Sequence, residues 1–425
     1  MRTRSSLVRR RLNVSEAAPR DDQRGPIRGW SWFVSGLGIG QICSWGALYY
    51  SFPLIAEAMG GELGWDKAQL YGAATLGLLI AAGAAYPVGK AIDHGHGRII
   101  MSAGSLAAGL LFFAWSQVET IWIFFAIAAG LGALQATVLY EPAFAVIAKR
   151  ASGGARGAIT ALTLWGGFAS TVFIPLTQTM LDAFDWRGAL IGLGFTNLAC
   201  GALYYLVIGA RTGVAPTTAH PVSTGPDPKR LAFGSPVFWA LALAFTAHAG
   251  AFTAFTFHLY ALLLERGLVT ADVVIAMTII GPAQVAGRIL MTVFARGASV
   301  RRIGSFVVVG FPVAFATLAF APTSLTGVAI VTALYGASNG VLTIVRGMSV
   351  PEMITGEGYG AINGAMNTPG TVAKALAPFG AAALWQVGHS YDLPVLAMTA
   401  GSVVLVLGFW CAAYLSARRK TLIAV

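Results

Sequence analysis

The stretch from Ala271 to Arg296, ADVVIAMTIIGPAQVAGRILMTVFAR, is the strongest indication of the fold in this sequence. Its interior is apolar apart from four side chains, which are Thr278, Gln284, Arg288 and Thr292. A helix rises about 1.5 Å per residue and the hydrocarbon core of a bilayer is about 30 Å thick, so this length is enough to cross a membrane. We therefore predict a transmembrane helix with one charge in its interior.

That charge, Arg288, lies eight residues, or roughly 12 Å, from the helix end that Arg296 marks. A guanidinium at this depth costs about 2.5 kcal/mol or more, which predicts that it faces protein or a water-filled cavity and has a partner. Two interpretations are open. Either Arg288 is structural and paired with a carboxylate, or it forms a binding site for an anion.

The composition indicates a membrane protein. Of the 425 residues, 56% are hydrophobic and only 11% are charged, whereas a soluble domain is about 25% charged. The 3 cysteines are scattered singly in apolar segments, which excludes a disulfide framework and a zinc site. The sequence contains no phosphate-binding loop and no metalloprotease or serine-hydrolase motif. We therefore expect no enzyme activity and no cofactor.

Twelve apolar segments of about 18 residues or more follow one another along the chain, and helices are the spanning structure that suits such lengths. Their predicted ranges are 30–57, 68–90, 98–117, 121–147, 157–181, 188–210, 236–264, 272–296, 303–321, 326–347, 360–387 and 393–416. A Pro-, Thr- and Gly-rich stretch after the sixth segment halves the set, which is typical of two repeats.

We therefore predict an all-α membrane protein with twelve transmembrane helices in two six-helix bundles. Its predicted parts are an N-terminal arm at 1–29, the first bundle at 30–210, a linker at 211–235, the second bundle at 236–416 and a tail at 417–425.

The Lys and Arg residues are distributed asymmetrically. Of 28 in total, 22 lie in the arm, the linker, the tail and alternate loops, while the other loops hold only Lys67, Arg187 and Arg266. Because cytosolic loops carry the excess of Lys and Arg, we predict that both termini and the linker are cytosolic in the inner (plasma) membrane. The net charge of +11 is therefore a topology signal, and we expect no nucleic-acid partner.

The loop after the second segment reads Gly89-Lys-Ala-Ile-Asp93-His-Gly-His-Gly97-Arg98. It resembles the G-x-x-x-D-R-x-G-R-R signature of the major facilitator superfamily, with His94 in place of the usual Arg and one extra residue before Gly97. The resemblance covers about residues 30–416 and implies transport by alternating access. The positions that match the motif and that the resemblance assigns to conformational switching are Gly89, Asp93, Gly97 and Arg98.

More local features resemble the monocarboxylate porters and the oxalate/formate antiporters, namely Trp45–Phe52, Gly64-Trp65 and Asp185–Gly188. In the eighth segment, Gln284-Val-Ala-Gly-Arg288 is similar to the D-x-x-x-R of the porters, in which the Arg binds the substrate carboxylate and the Asp takes part in proton coupling. Gln284 cannot titrate, although the spacing of four places it on the same helix face as Arg288.

A second cation, Lys374, lies about 14 residues into the eleventh segment. The oxalate/formate antiporters look similar, because an Arg in helix eight and a Lys in helix eleven together hold oxalate. The resemblance therefore implies that Arg288 and Lys374 bind the substrate together, and a planar guanidinium fork suits a carboxylate. The open alternative is that Glu141 of the other bundle neutralises one of the two cations.

The remaining candidates are polar or aromatic residues inside segments. We predict that Tyr49, Tyr50 and Gln135 line the first-bundle side of a central cavity. Glu141 and Arg346 are expected to bridge helices four and ten on the cytosolic side, although a snorkelling Arg346 is an alternative. The candidates for proton coupling are Glu141 and His248. Both His248 and His258 also suit the simpler role of hydrogen-bonded core histidines.

From these observations we predict a secondary active transporter that moves a small organic anion, a mono- or dicarboxylate, by alternating access. The alternative within the class is a proton-coupled exporter of drugs or another small solute. A membrane sensor or integral enzyme is disfavoured by the lack of a signalling domain and of a catalytic constellation. The expected partners are the anionic substrate, protons as a possible coupling ion and the lipid bilayer, and the expected state is a monomer.

Overall fold

The computed structural model describes residues 30–150, 155–209, 233–295, 297–320, 324–355 and 359–423, which form twelve helices without a strand among them. In the first half, α1 comprises Trp30–Trp45, a π-helical turn at Gly46–Tyr50 and Phe52–Leu63, α2 is Lys67–Ala91, α3 is Gly97–Trp115, and α4 comprises Ile121–Val138 and Tyr140–Arg150. Helix α5 begins with Ala155–Gly166 and continues into Ala169–Val207, which bends at Asp185 and ends as α6.

In the second half, α7 is Pro236–Glu265, α8 comprises Thr270–Thr278 and Ile280–Phe294, α9 comprises Val300–Val307 and Gly310–Phe320, α10 is Leu325–Met353, α11 is Tyr359–Gly388 and α12 is Asp392–Ile423. Eight continuous helical stretches of the described chain are long and apolar enough to cross a membrane. Two of them, Lys67–Trp115 and Gly157–Val207, each contain two of the twelve helices. The eight stretches together therefore include ten of the twelve described helices, all except α1 and α11.

Short capping sequences end one helix and start the next. Gly64 ends α1 in the left-handed conformation, with φ of 69°, which costs a glycine little. Asp66 then caps α2, because its Oδ1 accepts from Gln69 N at 2.7 Å while Gln69 Oε1 accepts from Asp66 N at 3.0 Å. Between α5 and α6, Asp185 reverses the chain at φ of 65° and its Oδ1 accepts from Gly188 N at 2.9 Å.

The helices pack as two bundles, α1–α6 and α7–α12, and each bundle has its own apolar core. Close helix contacts rely on glycine, as is common where no hydrophobic effect drives association in lipid. A Cβ on Gly132 would lie 2.0 Å from Gly77 O, which joins α4 to α2. A Cβ on Gly340 would lie 2.2 Å from Gln284 O, which joins α10 to α8. The predicted all-α architecture of two six-helix bundles is confirmed.

The domain limits remain predictions. The predicted arm at 1–29 lies outside the described residues, and so do residues 211–232 of the predicted linker at 211–235. Helix α12 continues to Ile423, so the helix extends into the predicted tail at 417–425.

The bundles meet mainly near one end of the molecule. We call the end at which α1 begins and α12 ends the terminal face, and the other end the opposite face. Three pairs of helices join the bundles towards the opposite face, namely α1 with α7, α2 with α11 and α5 with α8. Tyr71 donates to Phe257 O at 3.0 Å, and Phe379 N donates to Thr75 Oγ1 at 3.3 Å.

Towards the terminal face, charged side chains of the two bundles are exposed instead. Glu141 of α4 and Lys374 of α11 interact electrostatically, yet both are exposed. The space between the bundles is therefore closed towards the opposite face and open towards the terminal face.

Candidate functional site

Arg288 is half-buried in α8, where three helices meet. Its Nε donates to Gly340 O of α10 at 3.2 Å, and its Nη1 donates to Thr163 O of α5 at 3.4 Å. Because Gly340 has no Cβ, α10 packs against the backbone of α8 one turn before Arg288. Among the described residues, no carboxylate lies within ion-pair distance of the guanidinium. Arg288 thus bonds to the first bundle through the Thr163 carbonyl, while its bond to Gly340 lies within the second bundle.

Aromatic side chains lie beside this arginine. Tyr50 and Tyr140 lie near Arg288. The Trp45 ring lies 5.0 Å from the Tyr140 ring, 5.3 Å from the Tyr49 ring and 6.4 Å from the Tyr50 ring. Two of these side chains, Tyr49 and Tyr50, come from the π-helical turn of α1, and such turns are frequent at functional sites. We call Trp45, Tyr49, Tyr50 and Tyr140 the aromatic wall.

The aromatic wall contains one polar group without a partner. The buried indole Nε1 of Trp45 has no acceptor among the described residues. Buried donors are normally paired, so an unpaired one beside a half-buried cation suits a site that receives an acceptor from outside the chain. The sequence pattern did not reveal Trp45 or Tyr140 as site residues. The signal available for Tyr140 was Pro142, since a break at Leu139 restarts α4 at Tyr140 with proline in its first turn.

The other predicted lining residues occupy different surroundings. Gln284 is buried one turn before Arg288, where its backbone packs on Gly340. Gln135 donates from Nε2 to Leu48 O at 3.0 Å and so supports the π-helical turn of α1. Tyr49 is buried between the bundles, with its ring 4.9 Å from that of Phe257.

Lys374 belongs to a second cluster. It interacts electrostatically with Arg346 of α10 and Glu141 of α4, and His248 of α7 interacts with both Lys374 and Arg346. Arg346 donates through Nε to Asn367 Oδ1 of α11 at 3.0 Å, and its Nη2 donates to the same oxygen. The described contacts therefore place Arg288 beside the aromatic wall and Lys374 near Arg346, Glu141 and His248, and joint binding of a substrate by the two cations remains a prediction.

The predicted bridge between Glu141 and Arg346 is not formed in this state. Glu141 is exposed, and none of the ion pairs among the described residues joins it to Arg346. That bridge was predicted for a state closed at the terminal face, whereas this structure is open there. The prediction therefore remains to be tested.

The predicted switch motif lies at the terminal face of the first bundle. Its turn forms at Gly95, with φ of 91°, and Lys149 of α4 donates to Asp93 O. Arg98 donates from Nε to Tyr205 O of α6 at 2.9 Å, and its guanidinium lies 3.6 Å from the centre of the Tyr205 ring.

Two matching glycines of the motif differ in their surroundings. A Cβ on Gly97 would lie 2.6 Å from Val146 Cγ2, while Gly89 faces open space. The motif thus joins the ends of α2, α3, α4 and α6. Its role in switching remains a prediction.

Two six-helix bundles around a space that is closed towards one face and open towards the other are the architecture of a membrane transporter. The chain belongs to the Major Facilitator Superfamily, whose family model matches residues 37–378. It is accordingly a multi-pass membrane transporter rather than an enzyme.

Two curated relatives are named as monocarboxylate transporters. The chain is 26% identical to monocarboxylate transporter 13 of Rattus norvegicus over 79% of this chain and 78% of that protein. It is 28% identical to human monocarboxylate transporter 11, but that match spans 61% of this chain and only 55% of the human protein. The predicted family resemblance is thus confirmed, at low identity.

Solved structures share the fold. The nucleoside transporter NupG has a TM-score of 0.71 at 16% identity, over 90% of this chain and 98% of that chain. A bacterial homologue of the human lysosomal transporter Spinster, in an inward-facing and occupied conformation, has a TM-score of 0.68 at 14% identity, over 93% and 98% of the two chains.

Proposed function

We propose that this transporter moves a small organic anion with a carboxylate group, by alternating access of one site between the bundles. The observation that carries the proposal is Arg288, a half-buried guanidinium in a membrane helix that has no carboxylate partner among the described residues. A charge in that position is costly unless it is paired. A substrate anion supplies the missing countercharge.

The hydrogen bonds of Arg288 leave a suitable edge for that anion. A guanidinium has five N–H donors, and the carbonyls of Gly340 and Thr163 accept from Nε and Nη1. The donors of Nη2 remain available, so a carboxylate can approach that edge of the fork. Tyr50 and Tyr140 add hydroxyl groups near the guanidinium, and the aromatic wall provides an apolar surface for the carbon skeleton.

The relatives support a carboxylate, since two of them are named as monocarboxylate transporters. We further propose that Lys374 holds a second carboxylate group when the substrate has one. Because Gln284 cannot carry a proton, we assign any proton coupling to Glu141 or His248. From the excess of Lys and Arg in alternate loops we also propose that the terminal face is cytosolic, and we propose the inner membrane as the location of the chain.

The aromatic wall also favours one other candidate function. Indole and phenol rings packed edge-on and at tilted angles suit an uncharged aromatic solute, which a proton-coupled exporter of drugs or other small solutes would carry. In that case Arg288 is a structural link between α5, α8 and α10.

The test is binding and uptake in proteoliposomes of the purified full-length chain, using radiolabelled lactate, oxalate and an uncharged drug. Arg288→Lys keeps the charge but loses the fork, so we expect roughly 10- to 150-fold weaker binding of the transported anion. Arg187→Lys is the matched control, because Arg187 pairs with Glu62 at the exposed end of α6. Unchanged anion affinity in a well-folded Arg288→Lys protein contradicts the carboxylate assignment.

The proposed orientation has its own test. In a chain whose three cysteines are replaced by serine, a single cysteine in the linker is exposed to a membrane-impermeant maleimide added outside intact cells. We expect no labelling until the cells are opened, and labelling of intact cells contradicts a cytosolic linker.

A further inference from the structure

A basic groove lies on the outer surface of the second bundle, at the terminal face. It runs between the first turns of α9 and the last turns of α12 and has a volume of about 620 Å³. Small-molecule sites commonly enclose about 300–1,000 Å³, so the groove has room for a headgroup. The residues that line it include Arg301, Arg302, Ser305, Phe306, Trp410 and Ala413.

The groove offers two arginines without a countercharge. Among the described residues, neither Arg301 nor Arg302 forms an ion pair, and no acidic side chain lines the groove. The nearby Glu352 is occupied, because its Oε2 accepts from Val300 N at 3.0 Å and its Oε1 from Arg301 N at 3.5 Å. The carboxylate therefore takes the amides at the start of α9, and the positive groups left for a ligand are the two guanidinium groups.

The remainder of the groove is apolar and faces outward. Phe306 is 83% exposed and Trp410 is 46% exposed, and both belong to helices that cross the membrane. The Trp410 indole donates to Ser305 O at 2.9 Å, which fixes its ring between α9 and α12. Ala413 lies one turn further along α12, so only a small side chain lines the groove there. An amphipathic indole at the end of a spanning helix marks the headgroup level of a bilayer.

From this arrangement we propose that the groove binds an anionic phospholipid. The headgroup phosphate lies between Arg301 and Arg302, and an acyl chain follows Phe306 and Trp410 towards the bilayer interior. Basic pockets between helix ends at the membrane surface recognise anionic headgroups in this way, since a guanidinium binds phosphate oxygens as a fork. The lipid site lies on the outside of the second bundle, so it does not depend on which substrate is transported.

The experiment compares the affinities of the full-length chain in neutral detergent for phosphatidylglycerol and phosphatidylcholine with the same acyl chains. We expect the wild type to bind phosphatidylglycerol roughly 30-fold more tightly, which is the combined preference of two arginines. Each arginine near the membrane surface contributes roughly a fivefold preference, so Arg301→Gln with Arg302→Gln should lower phosphatidylglycerol affinity roughly 30-fold. Binding of phosphatidylcholine should not change. Lys90→Gln, an exposed charge at the same face of the other bundle, is the control.

Three results overturn the proposal. The first is a wild-type chain without preference for phosphatidylglycerol, a measurement that needs no variant. The second is a folded double variant that keeps the full preference, or a Lys90→Gln chain that loses it equally. The third is competition by sn-glycerol 3-phosphate at the same concentration as the lipid, which would assign the groove to a free phosphate ester instead.

Discussion

The two halves of the interface between the bundles are built from different chemistry. Towards the opposite face, the closure consists mainly of rings and hydrogen bonds. His258 of α7 contacts Pro378 O through Nε2 at 2.9 Å and the Tyr391 hydroxyl through Nδ1 at 3.0 Å, and its ring lies 3.9 Å from that of Tyr71 of α2. Towards the terminal face, the facing side chains are the charges Glu141, Arg346 and Lys374, with Glu141 and Lys374 exposed.

We infer from this contrast which contacts are exchanged during transport. Packed rings and hydrogen bonds act only at contact distance, so the opposite face opens only by breaking its network. Charges attract over longer distances, especially where water is excluded. The terminal charges are therefore suited to draw the bundles together when the opposite face opens. Because transport needs both states, neither set of contacts can dominate by many kcal/mol.

The largest effect is expected at Lys374. Replacement by Gln removes the second cation, so the affinity for a dicarboxylate should fall roughly 10- to 150-fold, and that for a monocarboxylate much less. Equilibrium binding of oxalate and lactate to the purified variant measures both. An equal loss for the two substrates would assign Lys374 to the terminal gate with Glu141, and not to the substrate.

His258→Phe should have the next largest effect. The phenyl ring keeps the packing against Tyr71 but leaves Pro378 O and the Tyr391 hydroxyl without their partner. Both bonds lie within the second bundle, but Pro378 precedes Phe379, whose amide donates to Thr75 of α2, so we expect the closed opposite face to lose about 1–3 kcal/mol when Pro378 is no longer held. The population of the opened state should rise roughly 5- to 150-fold. A cysteine at Gly72 reports it, since a Cβ there faces Phe379 at 3.6 Å.

In a chain lacking its native cysteines, maleimide should label that cysteine faster in His258→Phe than in the parent. His96→Phe, which changes an exposed histidine at the terminal face, is the control. An unchanged labelling rate would show that the His258 hydrogen bonds do not hold the closure.

Much of the fold is predictable from the sequence, because a spanning helix is a local property. The run around Arg288 is long and apolar in its own right, and the boundaries of α2 and α7 fall within a residue of the predicted 68–90 and 236–264. The hydrogen-bonded role of His258 was also predicted, since a lone histidine in an apolar helix usually has such partners.

Which of the site residues lie together was harder to predict from the sequence. Trp45 and Tyr140 meet near Arg288 because α1 has a π-helical turn and α4 breaks at Leu139. The π-helical turn has no distinct sequence signature, and the sequence signal for the break is Pro142. The family resemblance and the depth of both residues in their helices paired Lys374 with Arg288 as a joint substrate site, and this pairing remains a prediction. The sequence did not reveal that Lys374 also lies near Arg346, because that depends on how α10 and α11 are rotated about their axes.

A moderate effect is expected for the terminal charges. Glu141→Gln and Arg346→Gln should each disfavour the state closed at the terminal face, and the exchange Glu141→Arg with Arg346→Glu should restore part of it. A double-mutant cycle should give a coupling energy of about 0.5–3 kcal/mol. A cysteine at Gly364 of α11, where a side chain meets open space, reports terminal closure by slower labelling. Additive effects of the two single changes would exclude the bridge.

The smallest effect is expected for Lys67, at the rim of the opposite face. Its Nζ pairs with Glu57 Oε2 at 2.9 Å and lies 5.2 Å from the Trp385 ring and 5.7 Å from the Tyr391 ring, so one cation joins α1 and α2 to the second bundle. An ion pair of this kind contributes about 0–1 kcal/mol, and a cation over a ring about 0.5–1 kcal/mol where water has access.

Lys67→Gln should therefore raise the labelling rate of the Gly72 cysteine only about two- to fivefold. Lys67→Arg keeps both the charge and the contact with the rings, so it should label at the parental rate. The pair of variants separates charge from packing at this rim. If Lys67→Gln opened the opposite face as strongly as His258→Phe, the closure would depend on charge at both faces, and the contrast between the two halves of the interface would be wrong.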